Sequence, residues 1–285
     1  IMKKVGYFFF AFVPFLAVQA IQIVALCFMI GSSVITESLV GHSLFPSRSI
    51  SDRLNTLWLT TDFNMMIMLL YSIITIIIFS MWYYAGFGGN FLPSPKKTFH
   101  PLMILGILFL VPGAQFAANY IVMGISFVRP DWISEYEQLF ETSGITTVTV
   151  ITFIYSVITG PICEELIFRG MTMNAFKRAI PFWAANIMQA ILFGIFHMNW
   201  VQGIYAFALG LLLGYVCEKG NSIYYSIGLH ILFNFWGTVV SQFLIIDDTV
   251  AAAVMILIIT IVSLAVGFVL FESGRRILRR KSVTA

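Results

Sequence analysis

The chain has 285 residues, of which 59% are apolar and only 10% carry a charged side chain. Soluble domains carry about 25% charged residues, so this chain has too little polar surface to cover a water-facing fold of its size. The composition excludes a soluble globular enzyme, a disordered chain and a nucleic-acid-binding protein. It predicts an all-α, polytopic membrane protein. The three cysteines lie far apart and predict neither a disulfide framework nor a cysteine-based metal site.

A helix needs about 20 apolar residues to cross the hydrocarbon core of a bilayer. The fifth and sixth of the apolar runs in this chain are shorter than that. The first run follows two lysines but is too long for a signal peptide, so it predicts an uncleaved helix. No long linker separates the runs, and we expect one membrane domain over residues 1–285. About eight runs follow one another: Val5–Ile30, Phe63–Tyr84, Pro101–Ile125, Ile145–Phe168, Phe182–Phe196, Ile204–Val216, Ile223–Ile246 and Val250–Phe271.

The distribution of basic residues predicts the orientation, because cytoplasmic loops are enriched in Lys and Arg. With eight spans, thirteen of the sixteen basic residues fall on one side, together with both termini, and we expect this side to be cytoplasmic. The thirteen are Lys3, Lys4, Lys96, Lys97, Arg169, Lys177, Arg178, Lys219, Arg275, Arg276, Arg279, Arg280 and Lys281. The other side receives only Arg48, Arg53 and Arg129. Residues Asp131–Glu141 on that side predict an amphipathic surface helix.

Ionisable side chains at membrane depth cost several kcal/mol unless they face the protein interior or water, so each is a candidate functional residue. Glu164, Glu165 and Arg169 lie at the end of the fourth run. Glu165 and Arg169 are four residues apart and share a helix face, which favours an ion pair. Glu164 is rotated by about 100° from its neighbour, so the two carboxylates need not have the same role.

Two further polar patterns lie within apolar runs. His230 and Asn234 are four residues apart in the seventh run and share a helix face. The fifth run carries a polar stripe at helical spacing, which comprises Asn186, Gln189, Phe193 and His197. Each pattern alone is also compatible with a buried histidine in helix packing or with a hydrogen bond between helices.

The chain between the fourth and fifth runs is expected to turn near Ile180 and Pro181. Glu164 precedes this turn, and His197 follows it, by about the same distance, roughly 24 Å along each helix. The two side chains are therefore expected to lie level in an antiparallel hairpin. We expect the hairpin of the fifth and sixth runs to cross only part of the bilayer and to line a wet cavity with its polar tip. The active site is expected toward the cytoplasmic side.

Two mechanisms fit these residues. A carboxylate and a neutral imidazole that face each other can share a water and remove its proton, while a second histidine and an amide can stabilise an oxyanion. Alternatively, Glu164, His197 and His230 form a His₂Glu set of the type that binds catalytic zinc. Composition does not choose between them. Other intramembrane protease chemistries lack candidates, because every aspartate lies at a membrane edge or in a loop, and no Gly-x-Ser-Gly or His-Glu-x-x-His pattern occurs.

The three motifs in this order, on separate membrane helices, resemble the CAAX-protease and bacteriocin-processing (CPBP or Abi) family, which is related to the CAAX prenyl endopeptidases. They are Glu164-Glu165-x-x-x-Arg169, Phe193-x-x-x-His197 and His230-x-x-x-Asn234, and the resemblance covers residues 145–243. The first three helices carry no signature of this family.

The resemblance implies an intramembrane endopeptidase that acts on a membrane-associated protein or peptide in the cell membrane. It implies that Glu164, assisted by His197, activates the hydrolytic water and that His230 and Asn234 hold the oxyanion. Glu165 and Arg169 would support the first carboxylate, with Phe193 as part of the second motif. The family has been described both as metal-dependent and as metal-free. The amide beside His230 favours a metal-free glutamic endopeptidase, with zinc as the alternative.

Two non-protease functions remain open. The same polar cluster could serve binding in a non-catalytic membrane scaffold or in a bacteriocin self-immunity protein. A proton-coupled transporter is disfavoured, because the two halves of the chain show no matching pair of interrupted helices.

Overall fold

A computed structural model describes residues 2–36, 38, 49, 51–52, 61–87, 98–143, 149–244 and 249–283. The described residues form helices and contain no strand. Their buried apolar side chains make one connected cluster that extends from Ala11 to Phe271. The all-α fold predicted from composition is confirmed.

The helices are numbered here in chain order. A continuous helical segment, α6, carries the first polar motif, and it alternates α-helical turns with two wider π-helical stretches. The elements are α1 (Met2–Phe10), α2 (Val13–Thr36), α3 (Thr61–Phe87), α4 (Pro101–Val128), α5 (Pro130–Ser143), α6 (Val150–Lys177), α7 (Phe182–Phe196), α8 (Trp200–Gly220), α9 (Ile223–Thr238) and α10 (Val250–Val283), with a short 3₁₀ helix at Val240–Phe243.

Seven helical segments in the described part of the chain are long and apolar enough to cross a membrane. The fifth apolar run forms α7, which is apolar but has only 15 residues and is shorter than each of these seven segments. The sixth is longer than we expected from its apolar run, because α8 continues through the polar residues Gln202 and Lys219 at its two ends. The chain is therefore a multi-pass membrane protein, and only one arm of the expected short hairpin is short.

The first polar motif does not lie at the end of a span, as the apolar run Ile145–Phe168 predicted. The helix continues to Lys177, which puts Glu164 and Glu165 in the middle of α6. Hydropathy ends the run at Arg169, but this side chain is fully buried and therefore does not mark the membrane surface. The motif is flanked by the π-helical stretches Ile154–Thr159 and Leu166–Met173. Such stretches are rare in proteins, and those that occur are often found at functional sites.

Some of the residues that entered the orientation and span predictions lie outside the described part of the chain. They are Arg48, Arg53, Lys96, Lys97, Ile145 and Ile246. The placement of both termini in the cytoplasm stays a prediction.

Contacts between distant residues show which helix ends lie together. The guanidinium of Arg178 donates to the hydroxyl of Tyr7 and to the carbonyl of Gly86. Lys177 forms an ion pair with Glu218 at the end of α8. The start of α1, the end of α3, the end of α6 and the end of α8 therefore lie at one end of the bundle. Since Lys3, Lys4 and Lys219 are at these positions, we call this the basic end.

The predicted amphipathic helix forms α5 and lies at the opposite end of the bundle. It packs on α8 through a stacked pair of indole rings, Trp132 and Trp200, with centroids 5.4 Å apart. The hydroxyls of Tyr136 and Tyr205 are 3.5 Å apart across the same interface. The helix is therefore docked on the protein, close to the start of α8.

Helices α7 and α8 form a hairpin in which backbones touch. A Cβ atom added at Gly194 would lie 2.6 Å from the carbonyl oxygen of Gly203, and one added at Gly203 would lie 3.0 Å from the oxygen of Gly194. Small residues permit such close approach between membrane helices. His197, the last residue of the second motif, directly follows α7. The backbone contact between α7 and α8 therefore fixes the position of His197 relative to α8.

We expect the substitution Gly194→Ala to destabilise the protein, because the new methyl group meets backbone that cannot rotate away. Overpacking of this kind costs about 1–3 kcal/mol, which would lower the melting temperature in detergent by several degrees. Gly228→Ala is the matched control, since a Cβ at Gly228 meets no atom within 4 Å. Equal melting temperatures for the two variants would contradict the proposed backbone contact.

Candidate active site

A buried ionic network connects the first and third motifs. One carboxylate oxygen of Glu165, Oε1, accepts hydrogen bonds from Arg169 Nη1 at 2.8 Å and from His230 Nδ1 at 2.9 Å. The side chains of Glu165 and Arg169 are 0% exposed. Buried charges are stable only when they are paired and hydrogen-bonded. The predicted pair of Glu165 and Arg169 is therefore present, and the same carboxylate orients His230 on α9.

Glu164 lies on the other side of this histidine. Its Oε2 atom is 3.6 Å from His230 Nε2, and its side chain is 12% exposed where that of Glu165 is fully buried. The two adjacent carboxylates thus have different surroundings: Glu165 is enclosed by its partners, whereas Glu164 borders a cavity. This difference follows from the rotation between successive residues on a helix.

His197 follows the last residue of α7, where the chain turns toward α8. Its Nδ1 atom lies 2.8 Å from the carbonyl oxygen of Phe193, which can only accept a hydrogen bond. The proton of a neutral imidazole is therefore on Nδ1, and Nε2 carries the lone pair. Met198, the next residue, has a positive φ of 55°. The tight turn puts the imidazole against the same cavity that Glu164 borders.

Phe193 contacts three of the other motif residues. Its ring meets His197 edge-on at 4.9 Å and His230 at 5.8 Å between centroids. The guanidinium carbon of Arg169 lies 4.5 Å above the same ring, in cation–π geometry. Phe193 therefore packs between both histidines and the arginine, which explains why an apolar residue belongs to the second motif.

Asn234 lies one turn after His230 on α9. Its Nδ2 atom donates to the backbone carbonyl of Ser156 on α6 at 2.8 Å. A carboxamide nitrogen has two hydrogens, so one remains for another acceptor. Both Asn234 and Ser156 border the cavity.

The remaining polar residues of the fifth-run stripe have a structural role. Gln189 donates to the carbonyl of Gly210 at 2.9 Å, and Asn186 donates to the carbonyl of Leu211 at 3.0 Å. Arg169 also donates to the Gly210 carbonyl, at 3.1 Å. These bonds join α6, α7 and α8 and leave His197 as the only member of the stripe's four residues whose polar side chain borders the cavity.

The cavity has a volume of about 770 Å³, within the range of small-molecule and cofactor pockets. It brings together Glu164, His197, His230 and Asn234, the four residues predicted to be catalytic. The depth argument from the turn near Pro181 is consistent with this arrangement. Helices α2, α3 and α4, which carry no sequence signature, also contribute to the walls.

Sequence reasoning did not predict the tyrosines that border the cavity, which are Tyr71, Tyr136, Tyr155 and Tyr205. The hydroxyls of Tyr71 on α3 and Tyr155 on α6 are 3.3 Å apart, and both side chains border the cavity together with Glu164. A tyrosine in an apolar run does not interrupt the hydropathy pattern. The signal that could have found Tyr155 is its position nine residues before Glu164 in a helix that already carries the first motif.

Glu164, His197 and His230 are the ligands of the zinc alternative, and all three border one cavity. Among the described residues, no group of three His, Cys, Asp or Glu side chains is arranged to hold a metal ion. Each histidine uses Nδ1 for a hydrogen bond within the protein, which leaves Nε2 as its possible ligand atom. The choice between the metal-free and the zinc mechanism stays a prediction.

Comparisons with known proteins agree with the sequence motifs. Residues 146–236 match the family model described as type II CAAX prenyl endopeptidase Rce1-like. This segment contains all three motifs. A relative from Bacillus subtilis (strain 168), named "Putative membrane peptidase YdiL", is 30% identical over 81 residues, which is 28% of this chain and 33% of the relative. The match thus spans about a third of the relative's length. No solved structure matches the chain.

We expect Glu165→Gln to lower the melting temperature strongly, because it leaves the buried charge of Arg169 without its partner. Breaking a buried pair costs about 3–5 kcal/mol. Adding Arg169→Met to this variant removes the unpaired charge, so we expect the double variant to recover part of the loss. A thermal-unfolding cycle of the wild type, both single variants and the double variant measures the coupling. Additive effects would show that the network is not coupled.

Proposed function

We propose that this chain, whose residues 146–236 match the Rce1-like family model, is an intramembrane endopeptidase that hydrolyses a peptide bond of a membrane-associated protein or peptide. The observation that carries the proposal is the meeting of Glu164, His197, His230 and Asn234 around one cavity in a multi-pass membrane protein. Three helices supply these groups.

Glu164 and His197 are proposed to activate the water. A carboxylate that borders a cavity can accept a proton, and the lone pair on His197 Nε2 can accept a second hydrogen bond from the same water. The water attacks the peptide carbonyl carbon and passes its proton to Glu164. Glu164 then protonates the leaving nitrogen as the bond between carbon and nitrogen breaks. No covalent bond to the protein forms in this sequence.

His230 and Asn234 are proposed to stabilise the oxyanion that develops on the carbonyl oxygen. Since His230 Nδ1 donates to Glu165, Nε2 can donate only when the imidazole is doubly protonated. In that form Glu165 remains the acceptor of the Nδ1 proton. The second amide hydrogen of Asn234 is the other donor. Preorganised donors of this kind contribute about 2.7–4 kcal/mol each to transition-state stabilisation.

We expect Glu164→Gln and His197→Ala to lower kcat for peptide cleavage by at least about 100-fold, because each removes a group that handles the water's proton. Glu218→Gln, which changes a carboxylate at the basic end, is the matched control and is expected to keep full activity. The assay is cleavage of a peptide library by purified protein in detergent, with melting temperatures measured for every variant. Full cleavage by both site variants would refute the catalytic assignment.

The same assay separates the metal-free mechanism from the zinc alternative. A metal-free glutamic endopeptidase is expected to keep its activity after treatment with a chelator, with no stoichiometric metal in the active protein. Loss of activity on chelation and recovery with Zn²⁺ would support the ligand set Glu164, His197 and His230. A protein that binds peptides but cleaves none, and whose Glu164→Gln variant still rescues a deletion phenotype, would support the scaffold or immunity alternative.

We further propose that the site lies on the side away from the cytoplasm, in place of the cytoplasmic side expected from the hairpin argument. The last turns of α10 lie at the basic end, because Glu272 accepts a hydrogen bond from Tyr215 near the end of α8. The start of α4 lies there too, because Gly274 packs against His100 and Met103. The cavity-lining residues of α4, Gln115 and Asn119, are in its distant half. His197 is at the end of α7 that points away from the basic end. If the basic end is cytoplasmic, the cavity belongs to the opposite half of the membrane.

Thiol labelling tests this side. In a variant whose native cysteines are replaced by alanine, Met198→Cys puts an exposed probe at the cavity, and Arg276→Cys puts one at the basic end. We expect a membrane-impermeant maleimide added to intact cells to label position 198 and to spare position 276. Labelling of position 276 alone in intact cells would reverse the assignment.

A further inference from the structure

Neutral amide side chains line several walls of the cavity. Two, Gln19 and Gln22, are three residues apart on α2, and two others, Gln115 and Asn119, are four residues apart on α4, so each pair shares a helix face. Among the described residues, seven carboxamides border the cavity: Gln19, Gln22, Gln115, Asn119, Gln202, Asn234 and Gln242. They come from four helices and the 3₁₀ helix. Gln19, Gln22, Gln115 and Asn119 belong to none of the three sequence motifs.

The surroundings make these side chains costly unless they bind something. The segments Met2–Thr36 and Pro101–Val128 are strongly apolar and long enough to cross a membrane. A carboxamide in such a helix is expected to find a hydrogen-bond partner. Gln115 Oε1 is buried and has no partner within the described part of the chain. Because Gln115 borders the cavity, a rotation of its carboxamide would present this acceptor to an N–H donor bound there.

The carboxamides lie on separate walls of the cavity. Helix α2 packs on α3 and α6, whereas α4 packs on α5, α8, α9 and α10. Gly237 on α9 leaves room beside Gln115, since a Cβ added there would lie 3.5 Å from Gln115 Nε2. Glu164 and His230 lie between these walls on α6 and α9. A ligand bound across the cavity could therefore meet carboxamides and the proposed catalytic groups together.

We propose that the cavity binds its substrate as an extended, uncharged polypeptide segment whose backbone groups hydrogen-bond to these carboxamides. The inference rests on the proposed function and names the substrate class for the same site. A carboxamide offers two donors and an acceptor without net charge, which matches the N–H and C=O groups of a peptide backbone. An α-helical segment satisfies these groups internally, so only an unwound segment would use the carboxamides.

The extended form is also what the chemistry requires. A peptide carbonyl within a helix is bonded to the N–H four residues later and is not free for the proposed oxyanion donors His230 and Asn234. Unwinding a segment at membrane depth leaves its backbone groups unpaired, which costs several kcal/mol for each group. Carboxamides on the cavity walls would offset this cost where the peptide bond is cut.

Binding of paired synthetic peptides tests the proposal. The protein is the Glu164→Gln variant in detergent, which is expected to bind without turnover. The first probe is a short fluorescent peptide of leucine, alanine and glycine with both ends blocked, and the second is the same peptide with N-methylated backbone amides. Fluorescence anisotropy measures both affinities. We expect N-methylation to weaken binding by about 10-fold or more, because it removes several N–H donors from the peptide backbone.

Substitutions in the protein provide the second arm. In the same background, Gln115→Leu and Gln22→Leu are each expected to weaken binding of the unmethylated peptide by about 3- to 10-fold and to weaken binding of the methylated peptide less, because only its carbonyl groups can still bond to a carboxamide. Gln138→Leu makes the identical change on an exposed position of α5 that does not border the cavity, and it is expected to have no effect. Melting temperatures identify any variant that fails to fold.

The outcomes separate this inference from the proposed function. Equal affinity for the two peptides, or no saturable binding of either, overturns the inference even if the wild type cleaves peptides. Amide-dependent binding of a peptide that the wild type never cleaves supports the inference and counts against the hydrolase. The peptide comparison uses one protein variant throughout, so misfolding of a glutamine variant cannot imitate its result.

Discussion

The arrangement of the site depends on one buried carboxylate. Glu165 accepts from Arg169 and from His230 within a fully enclosed part of a membrane protein, where an unpaired charge would be strongly unfavourable. This double pairing connects α6 to α9 and sets which nitrogen of His230 faces Glu164. Glu164 can remain at the cavity because its neighbour satisfies the arginine. The two adjacent carboxylates thus have different roles: Glu165 connects the helices, and Glu164 faces the cavity.

Close backbone contact complements this ionic network. Gly194 and Gly203 bring α7 and α8 together, and the carbonyl of Gly210 accepts from both Arg169 and Gln189. Asn186 and Gln189 of the polar stripe therefore bind α7 to α8, and His197 is the only polar member of the stripe that borders the cavity. Phe193 also restricts the positions of the histidines, because its ring packs against both of them and against Arg169. The histidines are positioned by three helices at once.

Sequence alone predicted the membrane class and the residues that meet at the cavity, because charged and polar side chains in apolar runs are few and their helical spacing is regular. It misplaced the end of α6, since hydropathy treats Arg169 as a boundary although its ion pair permits burial. It underestimated α8, whose ends are polar. The contribution of α2, α3 and α4 to the cavity was not predictable, because isolated glutamines and tyrosines in apolar helices have no repeating pattern. The side of the cavity depends on packing between distant helices, which local spacing does not determine.

The π-helical stretches on either side of the Glu164–Glu165 pair affect how this helix tolerates insertions and deletions. Each such stretch accommodates extra residues within an otherwise α-helical path. Deleting one residue between Leu166 and Met173 would permit regular α-helical bonding there, and the residues on either side of the stretch could keep nearly their present orientation. A deletion after Arg169 would keep its spacing of four residues from Glu165, whereas a deletion before Arg169 would shorten that spacing to three. The loss of a single residue from α6 is therefore expected to be tolerated best within its π-helical stretches, and elsewhere it would turn the following residues by about 100°.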